Sequence, residues 1–220
     1  MRAVLFDWRG TLVMTPGPRP WIRQGLSDLR LPSSASDVTR LLSRIEAANG
    51  PEDRLDTPGM DTDAAMHRSI FMQVMSDAGM TDVLATRLYE LDASPAFNRF
   101  AQDVQPTLVA LRERGLRIAV ISDIHFDLRP HFTEAGLTGL VDHFALSFEL
   151  GTQKPDPAMF LGATEALDVE PTTALMVGDR SGPDGAAVEF GITTLLMPRL
   201  LNVNDARLHQ VVALADASES

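Results

Sequence analysis

Four short polar clusters each follow an apolar run, and together they hold several carboxylates, a hydroxyl and the only lysine of the chain. Asp7 follows Arg2–Phe6, in Asp7-Trp8-Arg9-Gly10-Thr11, and Ser122-Asp123 follows Leu116–Ile121. Gly151-Thr152-Gln153-Lys154-Pro155-Asp156 comes after Phe144–Ser147, and Gly178-Asp179-Arg180-Ser181-Gly182-Pro183-Asp184 comes after Ala174–Val177. A carboxylate such as Asp7 can attack phosphorus and form a mixed anhydride, which splits one hard displacement into two easier ones. Asp7 and Asp179 together suit Mg²⁺, a hard cation that takes oxygen ligands and keeps several waters. Lys154 adds fixed positive charge for transferring oxygens, and a hydroxyl with backbone N–H groups at a helix start completes an anion cradle. Singly, each cluster has a plain structural explanation. Asp7 reads as a turn cap, Ser122 as an N-cap, Lys154 as a solvated loop lysine and Gly178-Asp179 as a tight turn. None of these explains why all four fall at the same place, just past an apolar run.

The apolar runs read as buried strands, with a fifth at Thr193–Met197. Helical patterns separate them: Pro106–Arg114 up to Gly115, Asp127–Ala135 up to Gly136, Pro157–Leu167, and Pro183–Phe190 up to Gly191. Such alternation implies right-handed crossovers and a parallel sheet covered on both faces. Ligands of an open parallel sheet bind beyond the carboxyl ends of its strands, where all four clusters lie.

Residues 14–100 break the alternation. After Pro16-Gly17-Pro18 the spacing is helical: Val38, Leu41, Leu42 and Ile45 follow the N-cap candidate Ser34 and stop at Gly50-Pro51. Met66, Ile70, Phe71, Val74 and Met75 make a second stripe up to Gly79, and Leu84, Leu88 and Leu91 a third before Pro95. Methionine-rich stripes of this kind read as core. The expected architecture is therefore α/β: a Rossmann-like parallel-sheet core (residues 1–13 and 101–220) with an inserted helical cap domain (14–100). The tail Ala215–Ser220 reads as frayed.

Composition narrows the function. The 220 residues are 45% hydrophobic with a mean hydropathy near zero, ordinary for a globular chain. No apolar run approaches the roughly 20 residues that span a bilayer. The start, Met1 to Asp7, carries an early acid and no small-residue cleavage site, so no signal peptide is expected, and the expected setting is cytoplasmic. The absence of cysteine removes disulfides, thiolate zinc sites and cysteine nucleophiles. A net charge of −11 argues against nucleic acid and anionic membranes as partners, while leaving room for a small positive pocket that takes an anion.

The set resembles the haloacid dehalogenase superfamily, which contains phosphatases, phosphonatases and dehalogenases. The first motif of that family, Asp-x-Asp-Gly-Thr, matches Asp7-Trp8-Arg9-Gly10-Thr11 except at its centre. Ser122 matches the second motif, Lys154 in Lys-Pro-Asp-Pro the third, and Gly178-Asp179 with Asp184 the fourth. The resemblance covers the core strands in order from residue 2 to about 197. It implies that Asp7 is the nucleophile, and that Asp7, Asp179 and the backbone carbonyl of Arg9 ligate Mg²⁺ with Asp184 in support. Thr11, Ser122, Asp123 and Lys154 would hold the phosphoryl group of a small phosphorylated substrate, under a helical cap that closes over it. Cap residues Trp21, Arg23, Arg54, His67 and Arg68 are within the reach of a polar substrate by this reading, although each also fits an ordinary solvated helix face.

Arg9 is the departure, because related phosphatases carry there an aspartate that protonates the leaving group. An arginine, with a pKa above about 12, delivers no useful proton at neutral pH. Three readings follow. Arg9 contacts substrate or pairs with a cap carboxylate in a working phosphatase, which the intact nucleophile, lysine and fourth-motif acids favour. Alternatively the chemistry is that of a 2-haloacid dehalogenase, although that chemistry needs no Mg²⁺ and leaves Asp179 and Asp184 unexplained. A phosphonatase would need a cap lysine, and the cap has none. In the third reading Arg9 fills the metal site with its guanidinium, and the protein binds a phosphorylated ligand without hydrolysing it.

Overall fold

A computed structural model describes residues 1–218. In chain order its strands are β1 (Ala3–Phe6), β2 (Val13–Met14), β3 (Arg99–Phe100), β4 (Arg117–Ser122), β5 (His143–Leu146), β6 (Ala174–Gly178) and β7 (Thr193–Leu196). The α-helices are α1 (Pro18–Asp28), α2 (Ala35–Asn49), α3 (Ala64–Asp77), α4 (Asp82–Asp92), α5 (Val104–Glu113), α6 (Arg129–Glu134), α7 (Ser147–Leu150), α8 (Pro157–Ala166) and α9 (His209–Ala217).

Five strands form one parallel sheet in the order β5-β4-β1-β6-β7. β1 is central, with Phe6 opposite Val120 on one side and Val177 on the other. Successive side chains of a strand face opposite ways, and β1 divides its residues accordingly. Val4 and Phe6 pack with Leu108 and Leu111 of α5 and Val211 of α9. Ala3 and Leu5 pack with Met159, Phe160 and Ala163 of α8. Every β1 residue is fully buried, as a strand covered on both faces requires.

α1 to α4 form a separate layer with its own apolar cluster, including Ile22, Val38, Phe71, Met75 and Leu88. Ser34 caps α2 through a capping box, its hydroxyl accepting from the Asp37 N–H and its own N–H donating to the Asp37 carboxylate. β2 and β3 pair antiparallel where the chain leaves for this layer and where it returns.

The elements differ from the sequence reading in instructive places. α6 begins at Arg129 rather than Asp127, because Pro130 lacks an N–H and belongs in a first turn. α5 begins at Val104, which puts Pro106 in its first turn. The expected helix at Pro183–Phe190 is a 3₁₀ segment, Gly185–Phe190, since the chain before it folds back so that the Asp184 and Gly185 N–H groups reach the Arg180 carbonyl. Ala215, expected in a frayed tail, is buried within α9. Glu219 and Ser220 lie outside the described residues.

α9 has no side-chain cap of its own; Asp103 substitutes. Its Oδ2 accepts from the Arg207 N–H at 2.5 Å and the Leu208 N–H at 2.7 Å. Asp103→Ala is expected to cost about 1–2 kcal/mol, lowering the Tm by roughly 2–8 °C. Thermal denaturation checks it, and an unchanged Tm would mean that apolar contacts alone seat α9.

Candidate active site

The loop after β1 alternates as a strand does. Trp8 turns inward and is fully buried, edge-on to Phe100 and tilted against Phe132 at centroid distances of 5.1 and 5.4 Å. Asp7 and Arg9 thereby face the other way and line a cavity of about 360 Å³ at the carboxyl ends of the strands. Asp7 extends the ladder, its N–H bonding Val177 O at 2.9 Å. Thr11 is fully buried and donates its hydroxyl to Asp7 Oδ2 at 3.0 Å, so it holds the carboxylate.

Lys154 is the centre of the site. Its ammonium donates to Asp7 Oδ1 at 2.7 Å and to Asp184 Oδ1 at 2.5 Å, and only 4% of the residue is exposed. Asp184 is fully buried, and its Oδ2 accepts from the N–H groups of Asp179 and Arg180 at 3.1 and 2.9 Å. Asp123 Oδ1 accepts from the Lys154 N–H at 2.8 Å, fixing the loop that carries the lysine. Two glycines make this approach feasible. A Cβ on Gly178 would lie 2.3 Å from Asp184 Oδ2, and one on Gly10, whose φ is +88°, would lie 2.3 Å from Asp179 Oδ2.

Burial pushes the Asp7 carboxyl up, with the Lys154 ammonium pulling it back and Asp184 adding to the rise. For Lys154 burial pulls down, but Asp7, Asp184 and Asp123 outweigh it and raise the ammonium, which stays charged. Asp179 is pushed up to about 6 by burial and by the charge of Asp7, with Arg199 opposing. Asp179 Oδ1 is buried and, among the described residues, has no hydrogen-bond partner. Ligand oxygens of Asp7, Asp179 and Asp184 lie within 4.8 Å of one another. An orphaned carboxylate oxygen beside two further carboxylates is what a hard divalent cation satisfies, so these residues fit Mg²⁺.

The remaining candidates are placed as follows. Ser122 is buried and lines the same cavity as Asp7, Asp123 and Lys154. Arg9 turns to the helical layer: Nη2 donates to Asp92 Oδ2 at 2.9 Å and to Asp92 O at 2.8 Å, and Nε donates to Asn98 Oδ1 at 3.1 Å. Its guanidinium is therefore committed to a carboxylate of the helical layer, and among the described residues it makes no hydrogen bond to Asp7, Asp179 or Asp184. Trp21 and His67 line a second cavity, of about 370 Å³, against the helical layer. Arg54 is paired with Asp77 at 2.8 Å, Arg68 lies over the Tyr89 ring, and Arg23 is exposed. Sequence reasoning missed Arg180 and Arg199 beside Asp7, Asp61, which lines both cavities, and His125, which lines the second. His125 stood three residues past Ser122, a spacing that could have marked it.

Residues 1–188 match the model of the haloacid dehalogenase-like hydrolase family. Haloacid dehalogenase-like hydrolase domain-containing protein 3 of Mus musculus is 35% identical over 53% of this chain and 46% of its own length. The chain thus spans about half the length of several curated relatives that it matches. Phosphoserine phosphatase of Thermus thermophilus is 30% identical over 76% of this chain and 70% of its own. A 2-haloacid dehalogenase from Pseudomonas syringae superposes with a TM-score of 0.65 at 22% identity, covering 98% and 99% of the two chains. Among the described residues no helix is long and apolar enough to cross a membrane.

The position of Asp179 has a measurable signature. With a folded pKa near 6 against an ordinary 3.8, its carboxyl holds a proton in the fold where the unfolded chain does not. Its contribution to stability therefore falls as pH rises from about 4 to about 6 and is level above that. Asp179→Asn is expected to raise the Tm of the metal-free protein at pH 7, with the gain vanishing near pH 4. Mg²⁺ is expected to raise the wild-type Tm more than that of the variant. Differential scanning calorimetry across pH, with and without Mg²⁺, reads both effects. Equal Tm values at pH 7 without metal would mean that the carboxylate is solvated.

Proposed function

The chain belongs to the haloacid dehalogenase-like hydrolase family, and from that premise we propose that it is a Mg²⁺-dependent phosphate monoester hydrolase. It acts on a small phosphorylated molecule, through an aspartyl-phosphate at Asp7, in a cytoplasmic setting. The observation that carries the reading is Lys154, buried between Asp7 and Asp184, beside an Asp179 oxygen left without a partner. The relationship to a phosphoserine phosphatase supports the same reaction class.

Asp7, Asp179 and the backbone carbonyl of Arg9 would hold Mg²⁺, with Asp184 in support. The cation, when bound, lowers the repulsion between the attacking carboxylate and the phosphoryl dianion. The chain supplies the rest. Thr11 fixes the orientation of the Asp7 carboxylate, and an Asp7 oxygen attacks phosphorus while the P–O ester bond breaks, its electron pair leaving on the alcohol oxygen. Lys154, Ser122 and the neighbouring Arg180 and Arg199 offer positive charge and a hydroxyl to the phosphoryl oxygens. Water then attacks the phosphorus of the aspartyl-phosphate, releasing phosphate and restoring Asp7. The helical layer of α1 to α4 serves as the cap that covers the alcohol portion, and the core is residues 1–13 and 101–220.

Arg9 gives the departing oxygen no proton. Its role is to tie the nucleophile loop to the cap through Asp92 and Asn98. The departing oxygen leaves as an anion, so rate depends steeply on leaving-group pKa.

Two outcomes test the reading. Asp7→Asn is expected to lower turnover of an aryl phosphate by at least about 10³-fold with the fold retained. Phosphate release by the folded variant at the wild-type rate would end the covalent mechanism, and halide release from a 2-haloacid that persists in EDTA would put a dehalogenase in its place. Wild type is also expected to favour aryl over alkyl phosphates by about 10²-fold or more. Arg9→Asp restores an acid, and pairing it with Asp92→Asn keeps two carboxylates from facing each other. The double variant is expected to flatten the leaving-group dependence. A wild type that hydrolyses both ester types alike would show that another residue supplies the proton.

A further inference from the structure

The cavity beneath the helical layer differs in charge from the cavity around Asp7. The two share Arg9, Asp56, Asp61 and Asp123 at their junction, so a substrate whose phosphoryl group lies at Asp7 extends its alcohol portion past these residues. The phosphoryl end adds to these Lys154, Arg180 and Arg199 against the one further carboxylate Asp7. The alcohol end, about 370 Å³, carries four carboxylates, Asp56, Asp61, Asp92 and Asp123, against the one cation Arg9. That cation is already neutralised by Asp92 at 2.9 Å. His67 adds no charge at neutral pH, because burial and the neighbouring His125 pull it down to about 4. An anionic wall of this kind attracts a cation and repels a second anion.

His125 lies between two of these carboxylates. The residue is 5% exposed and lines the cavity, stacked on the His67 ring at 3.4 Å. Its Nδ1 lies 3.4 Å from Asp61 Oδ1, and its Nε2 lies 3.9 Å from Asp92 Oδ2. Nε2 is buried and, among the described residues, has no hydrogen-bond partner. Trp21, Phe71 and Tyr89 line the same cavity, and aromatic faces attract ammonium groups through their quadrupoles.

We propose that the leaving group carries an ammonium: the substrate is the phosphate monoester of an amino alcohol, with its cation received by Asp61, Asp92 and the aromatic wall beside His125. The assignment rests on the phosphatase reading above and adds the chemical class of the alcohol. Charge polarity then orders the substrate along the site, phosphate toward Lys154 and ammonium toward Asp61.

The test compares two probes of nearly equal shape, phosphocholine and its uncharged carbon isostere 3,3-dimethylbutyl phosphate, with 4-nitrophenyl phosphate as a reference. Wild type is expected to show a kcat/KM for phosphocholine at least about tenfold above that of the isostere, the effect of one desolvated charge contact. Asp61→Asn is expected to reduce that ratio by threefold or more, on the order of half the logarithmic effect. Asp56→Asn provides a second carboxylate removal if the first variant does not fold. Equal rates for the two probes, or a preference for the isostere, with the aryl ester still hydrolysed, would overturn the ammonium assignment and leave the phosphatase reading standing. An unchanged ratio in both variants would likewise remove these carboxylates from recognition. Hydrolysis of none of the three esters would overturn both readings together.

Discussion

One ammonium between two buried carboxylates governs this molecule. Asp7 and Asp184 are withdrawn from water, and among the described residues Lys154 is the one cation paired with them. Removing one partner of a buried ionic cluster leaves an uncompensated charge, typically worth several kcal/mol, so the three residues depend on each other for the state in which they fold. The balance is incomplete. Three carboxylates, Asp7, Asp179 and Asp184, surround one lysine, and the surplus appears as the raised pKa of Asp179 and its partnerless Oδ1. The same surplus makes the site suited to a divalent cation.

The fold supplies this arrangement from separate strand ends. β1 is flanked by β4 and β6, so Asp7, Ser122 and Asp179 follow three adjacent strands and arrive side by side. Glycines at 10 and 178 remove the Cβ atoms that would keep the acids apart. Trp8, wedged among Phe100 and Phe132, decides which way its neighbours face. The hydrophobic core thus orients Asp7 through its neighbour Trp8.

Much of this was legible in the sequence, for reasons that differ by residue. The five strands were readable because strands covered on both faces are continuously apolar, and the strand-end acids because ligands of such sheets gather there. Lys154 stood out by being alone. α9 was missed because its capping residue, Asp103, lies more than a hundred positions upstream, beyond the reach of any local signal. The β2–β3 ribbon has only two residues on each strand, too few to show a period. Arg9 was recognised as a departure, while its partners Asp92 and Asn98 could not be found by spacing, since tertiary folding brings them across more than eighty residues. Asp61 and His125 were overlooked for the same reason.

Asp61 also performs a task apart from its carboxylate. Its backbone carbonyl lies 2.7 Å from the hydroxyl of the fully buried Ser147, and nearby the Gly59 N–H donates to Gln153 Oε1 at 3.0 Å. These contacts pin the segment between α2 and α3 onto the sheet domain. A single residue thus meets the contents of the cavity with its side chain and anchors the overlying layer with its main chain. Grip and latch are in series: a pull on the Asp61 carboxylate is borne by the same short piece of chain that keeps the layer shut.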